Sequence, residues 1–332
     1  MFIELLSKSN KAKVDKWKDF LKKSDLEPDN SVEQTVLLWE NDTLIATGSR
    51  DGNLLKCIAV DKSRQGEGLT ASIITALRKE AFSEGISHLF LYTKPQNKLM
   101  FSDLFFYPVA QTDRVLLMED KKEGINKFLD QLPKNSQSAK NGCVVVNCNP
   151  FTLGHQFLIE SACRECDHLY VFVVSEDKSR FSADDRMEMV RRGTSHLPNV
   201  SVLPTGPYLI SSATFPTYFL PDRENAIQIQ CLLDIEIFVK YYAPKFGLTV
   251  RYVGTEPISP MTNQYNMALK EYLPKAGITF KEIPRLETQN TPISASQVRS
   301  LIDSGDIQAV KSLVPDTTYE FLVSKGLIQI RR

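Results

Sequence analysis

The chain has 332 residues and carries 40 basic and 40 acidic side chains, so its net charge at pH 7 is zero. This balance excludes the bulk electrostatic binding to nucleic acid or anionic lipid that strongly basic proteins show, and we expect neither partner. The longest apolar runs, such as 169–174, are too short to span a bilayer, and 1–10 lacks the apolar core of a signal peptide.

The six cysteines do not suggest a disulfide framework in a chain of this length, and a cytoplasmic location is the simplest interpretation. Cys163 and Cys166, with His168 nearby, have a spacing compatible with a metal or redox site. They fall within a helical pattern, however, and no second pair of ligands stands at the expected spacing. Buried apolar side chains are the favoured interpretation, so we predict no metal ligands.

The first 130 residues alternate helical and strand patterns in a way that is typical of an α+β domain. The predicted elements are a helix at 11–22, strands at 34–40, 43–49 and 54–60, a helix at 71–84, a strand at 86–93, a helix from Asn97 and a strand at 114–119.

The loop before the second helix carries the most specific signal of this first domain. Gly-rich backbone between a strand and a helix N-terminus can hold a pyrophosphate. Gln65-x-x-Gly68-x-Thr70 resembles the Q/R-x-x-G-x-G/A loop that holds coenzyme A in the GNAT acetyltransferase superfamily. Thr70 departs from the Gly or Ala of that pattern. The resemblance therefore implies a GNAT-like fold, whereas acetyl transfer from acetyl-CoA at this loop is not expected.

A polar stretch without periodicity, 131–141, is predicted to link this domain (1–130) to a second domain (142–332). There, strands and helices alternate, which favours a Rossmann-like, doubly wound parallel sheet with ligands at the carboxyl ends of its strands. Strands are predicted near 143–149, 169–175, 200–204, 249–254 and 278–284, and helices near 156–166, 183–192, 225–243 and 262–273.

The segment 142–155 opens the second domain with a buried strand, a break at Asn149-Pro150, and the turn Thr152-Leu-Gly-His155 before a helix. Free N–H groups and the dipole of a helix N-terminus favour an anion at such a turn. Gly154 permits close approach of a phosphate, and His155 supplies a donor. Taken alone, this segment favours an ordinary strand-to-helix turn in which Thr152 caps the helix.

The segment 291–302 gives a second site of the same kind. Ser294 and Gln297 have capping-box spacing, so a helix is predicted to begin at Ser294. Its N-terminus carries the hydroxyls of Ser294 and Ser296, with Arg299 one turn further on. Two helix N-termini with phosphate-compatible side chains thus lie at the two ends of one α/β pattern.

Together the two segments resemble the nucleotidylyltransferase superfamily. Its first signature, (H/T)-x-G-H, corresponds to Thr152–His155, and its second, I-S-x-S-x-x-R, to Ile293–Arg299. The order and spacing of the two also fit.

A GNAT-like domain followed by a nucleotidylyltransferase domain resembles one family closely, the citrate (pro-3S)-lyase ligases. The resemblance covers essentially the whole chain and is densest in 147–155, 172–177, 213–220, 252–257 and 293–299. It implies that acetate and ATP, with Mg²⁺ expected on the triphosphate, give acetyl-adenylate and pyrophosphate. The acetyl group would then pass to the thiol of the CoA-like prosthetic group on the acyl carrier subunit of citrate lyase, the expected partner.

The resemblance also implies roles for particular residues. His155 and Thr152 would donate to the α-phosphate, and Arg299 would neutralise the leaving pyrophosphate. Apart from the resemblance, Lys178 and Arg180 lie just past the second predicted strand, where they would reach phosphate or the CoA-like arm, although a solvated basic turn is an equal alternative. Further contacts to the nucleotide are expected from Asn149, Pro150, Phe151, Gly154, Gly254, Thr255, Glu256, Ile293, Ser294 and Ser296.

Two other functions remain open from the sequence. One is an adenylyltransferase that joins AMP to pantetheine phosphate or a mononucleotide, since it would share both signatures. The other is a non-catalytic, carrier-binding regulatory module, against which the intact His155 and Arg299 count.

Overall fold

The computed structural model describes residues 1–135, 139–176, 179–209, 218–220, 226–257, 259–288 and 291–328. The chain divides into two compact units, Met1–Lys127 with Phe215–Ile229, and Phe128–Thr214 with Gln230–Arg332. The predicted second domain, 142–332, includes 215–229, which group instead with the first unit. Tyr218 illustrates the cause, because its carbonyl accepts the backbone N–H of Glu27 at 2.9 Å and its ring packs on the core of that unit.

The first unit consists of a mixed sheet with helices on both faces. Its elements are β1 Phe2–Leu5, α1 Lys11–Lys23, β2 Gln34–Glu40, β3 Thr43–Asp51, β4 Leu54–Val60, α2 Leu69–Ser83, β5 Phe90–Thr93, α3 Lys98–Ser102, β6 Tyr107–Gln111, β7 Leu116–Glu119 and α4 Gly124–Asp130, whose end belongs to the second unit.

The two faces of this sheet follow from the alternation of side chains along β2. Val36 and Leu38 pack with the apolar side of α2, whereas Leu37 and Trp39 pack with Trp17 of α1 and its neighbours. Each helix therefore covers one face, and both faces are apolar. This confirms the predicted α+β architecture of the first domain.

The strand order is β1-β2-β3-β4-β5-β7-β6, and all neighbouring strands are antiparallel except β4 and β5. That parallel pair is short, because only Leu54 and Leu55 of β4 have partners on β5. The remaining residues of β4, up to Val60, have no strand partner on this side among the residues that the structure describes. A cleft is left between the two strands at their carboxyl ends.

The second unit is built around a parallel sheet. Its elements are β8 Asn141–Val146, α5 Leu153–Cys163, β9 His168–Val173, α6 Ala183–Thr194, β10 Val200–Pro204, α7 Ala226–Ile237, continued by a π-helical turn at Phe238–Tyr242, α8 Ala243–Phe246, β11 Leu248–Gly254, α9 Pro260–Tyr272, β12 Thr279–Ile283, the short pair β13 Glu287–Thr288 and β14 Thr291–Pro292, α10 Ala295–Ser304, α11 Ile307–Lys311 and α12 Asp316–Ser324.

The order of the five parallel strands is β10-β9-β8-β11-β12. Counted from the first strand of the unit, this is 3-2-1-4-5, the order of a doubly wound sheet. Because β8 and β11 lie side by side while the chain runs from them to opposite edges, the switch point lies between their carboxyl ends. The predicted Rossmann-like fold class is confirmed.

Both faces of this sheet are apolar, as strands in a doubly wound fold require. Val144, Val146 and Tyr252 belong to one core with residues of α5, α6, α10 and α12. On the other face Phe172 meets the ring of Phe246 at 5.3 Å. In the part of the chain that the structure describes, no helix is both long and apolar enough to cross a membrane.

Candidate functional site

A cavity of about 470 Å³ opens at the carboxyl ends of β8, β11 and β12, beside the N-termini of α5 and α10. It therefore lies at the switch point of the sheet, where doubly wound folds bind ligands. The predicted site residues that line it are Thr152, Gly154, His155, Gly254, Glu256, Ile293, Ser294 and Ser296. The fold thus brings both signature segments and the end of β11 to one cavity.

The Thr152–His155 segment is not a turn before a helix, as predicted, but the cap and first turn of α5. Thr152 is the N-cap residue, and the helix begins at Leu153 rather than near 156. The Thr152 hydroxyl accepts the backbone N–H of His155 at 3.4 Å, and the backbone N–H of Thr152 donates to the imidazole at 3.1 Å. This reciprocal capping extends the helix beyond the apolar pattern.

These hydrogen bonds fix the tautomer of His155. A backbone N–H only donates, so the Nδ1 atom that receives the Thr152 N–H carries no proton. The Thr152 hydroxyl lies 2.9 Å from the same nitrogen. In the neutral ring the proton is therefore on Nε2, at the edge facing away from Thr152. His155 lines the cavity, so it offers that cavity a neutral donor.

The electrostatics of the site keep this imidazole neutral. Burial of the ring, assisted by the positive charge of Arg285, lowers the pKa of His155 to about 4. From its type alone, a histidine at such a turn can be charged or neutral near pH 7. The structure assigns the neutral one, because both causes act against a charged ring.

Gly154 joins the two signature segments. A Cβ atom built on Gly154 would lie 3.2 Å from the carbonyl oxygen of Ile293, closer than most side chains tolerate. Ile293 itself is buried in the core with α5 and precedes the cap of α10. The absence of a side chain at position 154 therefore lets the N-terminus of α5 approach that of α10.

At the second N-terminus, Ser294 caps α10, as predicted, by accepting the backbone N–H of Gln297 at 3.1 Å. The Ser296 hydroxyl accepts a hydrogen bond of 3.0 Å from Nη2 of Arg299. Nη1 of the same guanidinium donates to the carbonyl of Asn149 at 2.6 Å. Arg299 thus ties the α10 N-terminus to the turn that precedes α5.

Several predicted residues, the catalytic candidate Arg299 among them, do not line the cavity. Asn149 and Pro150 form the turn that holds Arg299, and Phe151 is buried, with its ring against Gly193 and stacked on His155. The Thr255 hydroxyl accepts the backbone N–H of Arg285. Their contacts support the walls of the site rather than its interior. Lys178 lies outside the described residues.

Asn147, at the end of β8, lines the cavity and is held by a buried arginine. Nη1 of Arg186 donates to the Oδ1 atom of Asn147 at 2.6 Å and to the carbonyl of Val174 at 2.6 Å. Since Arg186 lies on α6, this side chain fastens the ends of β8 and β9 to that helix.

Arg285 was missed by the sequence analysis, although it lines the cavity just after β12. Its Nε donates to the carbonyl of Thr255 at 2.7 Å, and its Nη2 pairs with Glu256, whose side chain is only 6% exposed. The sequence did offer one signal for this residue, namely a basic side chain directly after a predicted parallel strand. The pair places one cation and one anion in the wall of the cavity.

Arg251, within β11, was missed as well. It is 2% exposed, lines the cavity, and donates from Nη2 to the Tyr265 hydroxyl at 2.9 Å. Tyr265 in turn donates to Asp234. An arginine inside a strand that is otherwise apolar was a signal for a buried polar contact, but the sequence did not reveal its partner.

The first unit contains a second cavity, of about 420 Å³, in the cleft between β4 and β5. The predicted Gln65–Thr70 loop lines it, and Gly68, with a φ of 75°, caps α2 without a side-chain hydrogen bond. Arg64 in the same loop is paired with Glu40 and Glu67. Apolar residues complete the lining, among them Ile58, Val60, Met100, Phe101 and Phe219.

Comparison with known proteins shows the family of this chain. The model of the citrate lyase ligase C-terminal domain matches residues 141–322. The citrate (pro-3S)-lyase ligase of Klebsiella pneumoniae is 40% identical over 310 residues, which cover 92% of this chain and 91% of that protein. The enzyme of the same name from Escherichia coli K12 is 37% identical over 324 residues, covering 96% and 92%.

Among solved structures, TmcAL of Thermotoga maritima with bound alpha-thio ATP matches 57% of this chain and 56% of its own. The two are 17% identical and superpose with a TM-score of 0.35, so the match carries no inference about the site.

Proposed function

The chain belongs to the citrate lyase ligase family, and from this premise we propose that it activates citrate lyase by acetylating the CoA-like prosthetic group of its acyl carrier subunit. In the first step, an acetate oxygen attacks the α-phosphorus of ATP, and pyrophosphate leaves with the electron pair of the broken P–O bond. In the second, the carrier thiolate attacks the acetyl carbon, a C–S bond forms, and AMP leaves.

The observation that carries this proposal is the convergence of two helix N-termini and a neutral imidazole donor on one cavity. Negative charge develops on the α-phosphate oxygens as the nucleophile attacks, and preorganised donors stabilise it. Nε2–H of His155 is assigned to this position, with Thr152 holding the ring in the required tautomer. Because the ring is neutral, it gives up no proton and acts by position alone.

The second N-terminus is assigned to the β- and γ-phosphates. Ser294 and Ser296 lie there with the first backbone N–H groups of α10, whose dipole favours an anion. Arg299 uses Nη1 and Nη2 to hold Asn149 and Ser296, and its cationic charge stabilises the departing pyrophosphate. Lys178 is a further candidate for the phosphates.

The adenosine moiety is assigned to the ends of β11 and β12. Gly254 and Glu256 line that side of the cavity, and Thr255 supports Arg285. Mg²⁺ is expected to enter with the triphosphate, where it would neutralise phosphate charge. Of the described residues, no group of three carboxylate, imidazole or thiol side chains is placed to hold a metal, so the donors would come from phosphate and water.

For the second step we assign the CoA-like arm of the carrier to the cleft of the first unit. The uncapped N-terminus of α2 suits a pyrophosphate, and the apolar lining suits a pantetheine chain. Thr70, which lines the same cavity, departs from the Gly or Ala of the GNAT pattern, so acetyl transfer from free acetyl-CoA is not part of the proposal.

Acetate-dependent exchange of labelled pyrophosphate into ATP tests the first step. The ligase catalyses this exchange with acetate alone, because acetyl-adenylate forms reversibly. An adenylyltransferase would require pantetheine phosphate or a mononucleotide instead of acetate, and a regulatory module would catalyse no exchange. Exchange that is independent of acetate would contradict the proposed function.

A further inference from the structure

Arg285 is the accessible cation in the wall of the cavity at the switch point. Of the described residues that line this cavity, only Arg251 and Arg285 are positively charged near pH 7, because the imidazole of His155 is neutral. The side chain of Arg251 is 2% exposed and packs against the rings of Phe238 and Tyr265. That of Arg285 is 26% exposed, so its guanidinium is the one that an anion in the cavity can contact.

Two donor nitrogens of Arg285 are held by the wall, and the third is free. Nε donates to the carbonyl oxygen of Thr255 at 2.7 Å, and Nη2 pairs with the carboxylate of Glu256. These two contacts fix one edge of the planar guanidinium. Nη1 has no hydrogen-bond partner among the described residues, yet it is not enclosed by protein atoms. Its two N–H groups are therefore available to a ligand.

The position of this free donor indicates which part of a bound nucleotide it would meet. Thr255 and Glu256 directly follow β11, at the strand end to which the adenosine moiety is assigned. An ideal Cβ atom on Gly254 would lie 4.0 Å from Cγ of Arg285, so the arginine stem lies against the same strand end. Its charge also acts on the ring of His155, whose pKa it helps to lower. Arg285 thus contacts the adenosine side of the cavity and is felt at the imidazole donor, and the α-phosphate is the group that joins these two subsites.

From these contacts we propose that Arg285 is a catalytic residue that binds a non-bridging oxygen of the α-phosphate through Nη1, an inference that rests on the proposed function. As the acetate oxygen bonds to the α-phosphorus and the P–O bond to pyrophosphate breaks, a fixed cation stabilises the negative charge on that oxygen. His155 donates to the same phosphate, and neither side chain gives up a proton. Because the α-phosphate stays when pyrophosphate leaves, Arg285 also retains the acetyl-adenylate for the carrier thiol, whereas Arg299 acts on the leaving group.

The test combines calorimetric titration of AMP and of adenosine with acetate-dependent pyrophosphate exchange, in the wild type, Arg285→Gln and Arg285→Lys. AMP and adenosine differ only in the α-phosphate, so their comparison isolates this contact. In Arg285→Gln we expect the Kd for AMP to rise about 10- to 100-fold and that for adenosine to stay within about threefold. The kcat of exchange should fall about 10²- to 10³-fold, with little change in the KM for acetate. Arg285→Lys keeps the charge but loses the planar fork, so intermediate values are expected.

Arg192→Gln is the matched control, because it removes an arginine of the same unit that is also paired with a glutamate, Glu188, but does not line the cavity. It should change neither AMP binding nor exchange.

Three results would overturn the inference. They are no AMP binding by the wild type, unchanged AMP binding by folded Arg285→Gln or Arg285→Lys, and an equal loss of AMP and adenosine binding. A raised KM for acetate with unchanged AMP binding would assign the guanidinium to acetate instead. If the wild type binds AMP but catalyses no exchange, the proposed function fails, while a selective loss of AMP binding in Arg285→Gln still supports the contact with the α-phosphate.

Discussion

Nη1 of Arg299 donates to the carbonyl oxygen of Asn149 over 2.6 Å, although 150 positions separate the two residues in the chain. The hydrogen bond connects the second signature segment with the turn that leads into the first. Gly154 acts at the same junction, where its lack of a side chain lets α5 approach Ile293. The relative placement of the two helix N-termini is thus determined by contacts between the segments that the sequence singled out.

Arg299→Lys is expected to lower kcat/KM for ATP in the exchange reaction about 10- to 100-fold. One ammonium group cannot bond to Asn149 and Ser296 with the geometry of a planar fork and also face pyrophosphate. Steady-state kinetics at saturating acetate measure the effect, with Arg164→Lys, a substitution at an exposed arginine, as control. A fully active Arg299→Lys enzyme would mean that charge alone suffices.

His155→Ala should reduce the rate of acetyl-adenylate formation about 10²- to 10³-fold, the scale of one lost donor in a preorganised anion site. The substitution also removes half of the capping box, so a modest loss of stability is expected. Circular dichroism and thermal melting establish that the variant is folded. Near-normal exchange by a folded variant would remove His155 from the mechanism.

The stability contributed by neutral His155 should depend on pH in a defined window. Its pKa is about 4 in the folded state and near 6.5 when unfolded, so between these values the unfolded chain binds more protons. The contribution is therefore complete above pH 6.5 and is lost as the pH falls towards 4. The free energy of unfolding of the wild type relative to His155→Asn should fall by about 3 kcal/mol over this window in chemical denaturation. A constant difference would contradict a buried neutral imidazole.

Gly154→Ala is expected to separate the two helix N-termini slightly, because the added methyl group meets the Ile293 carbonyl at 3.2 Å. Overpacking of this kind costs about 1–3 kcal/mol of stability. The KM for ATP should rise more than that for acetate, since the triphosphate spans both N-termini. Measuring both constants in the exchange assay checks this, and equal changes would speak against a triphosphate between α5 and α10.

Thr70→Glu tests the assignment of the carrier arm to the first unit. A carboxylate in the first turn of α2 suits the helix dipole, so the fold should be retained, but it repels a pyrophosphate. Pyrophosphate exchange should be unchanged, while the KM for the carrier subunit rises; Thr70→Gln is the neutral control. Because Phe215–Ile229 belongs to the first unit, a substitution in the intact chain is a cleaner test than an isolated second domain. An unaffected carrier KM in Thr70→Glu would exclude this cleft.

The sequence predicted those features of the fold and site that depend on residues close together in the chain. The alternation of strands and helices predicted the doubly wound sheet, and capping residues Thr152 and Ser294 lie where a helix begins. The contacts of Arg285 and Arg251 were not predicted, because their partners are distant in the chain. Folding brings Glu256 next to Arg285 and Tyr265 next to Arg251. The short edge strand β1 was not predicted either, because its four largely exposed residues show no alternation of apolar and polar side chains.

The most direct test of the central claim follows labelled acetate to the carrier subunit of citrate lyase that bears its prosthetic group. With ATP present, we predict one hydroxylamine-sensitive acetyl thioester per carrier thiol, and one AMP and one pyrophosphate released for each acetyl group. Without ATP, neither acetate nor acetyl-CoA should label the carrier. Labelling from acetyl-CoA alone, or transfer of AMP rather than acetate to the acceptor, would contradict the account.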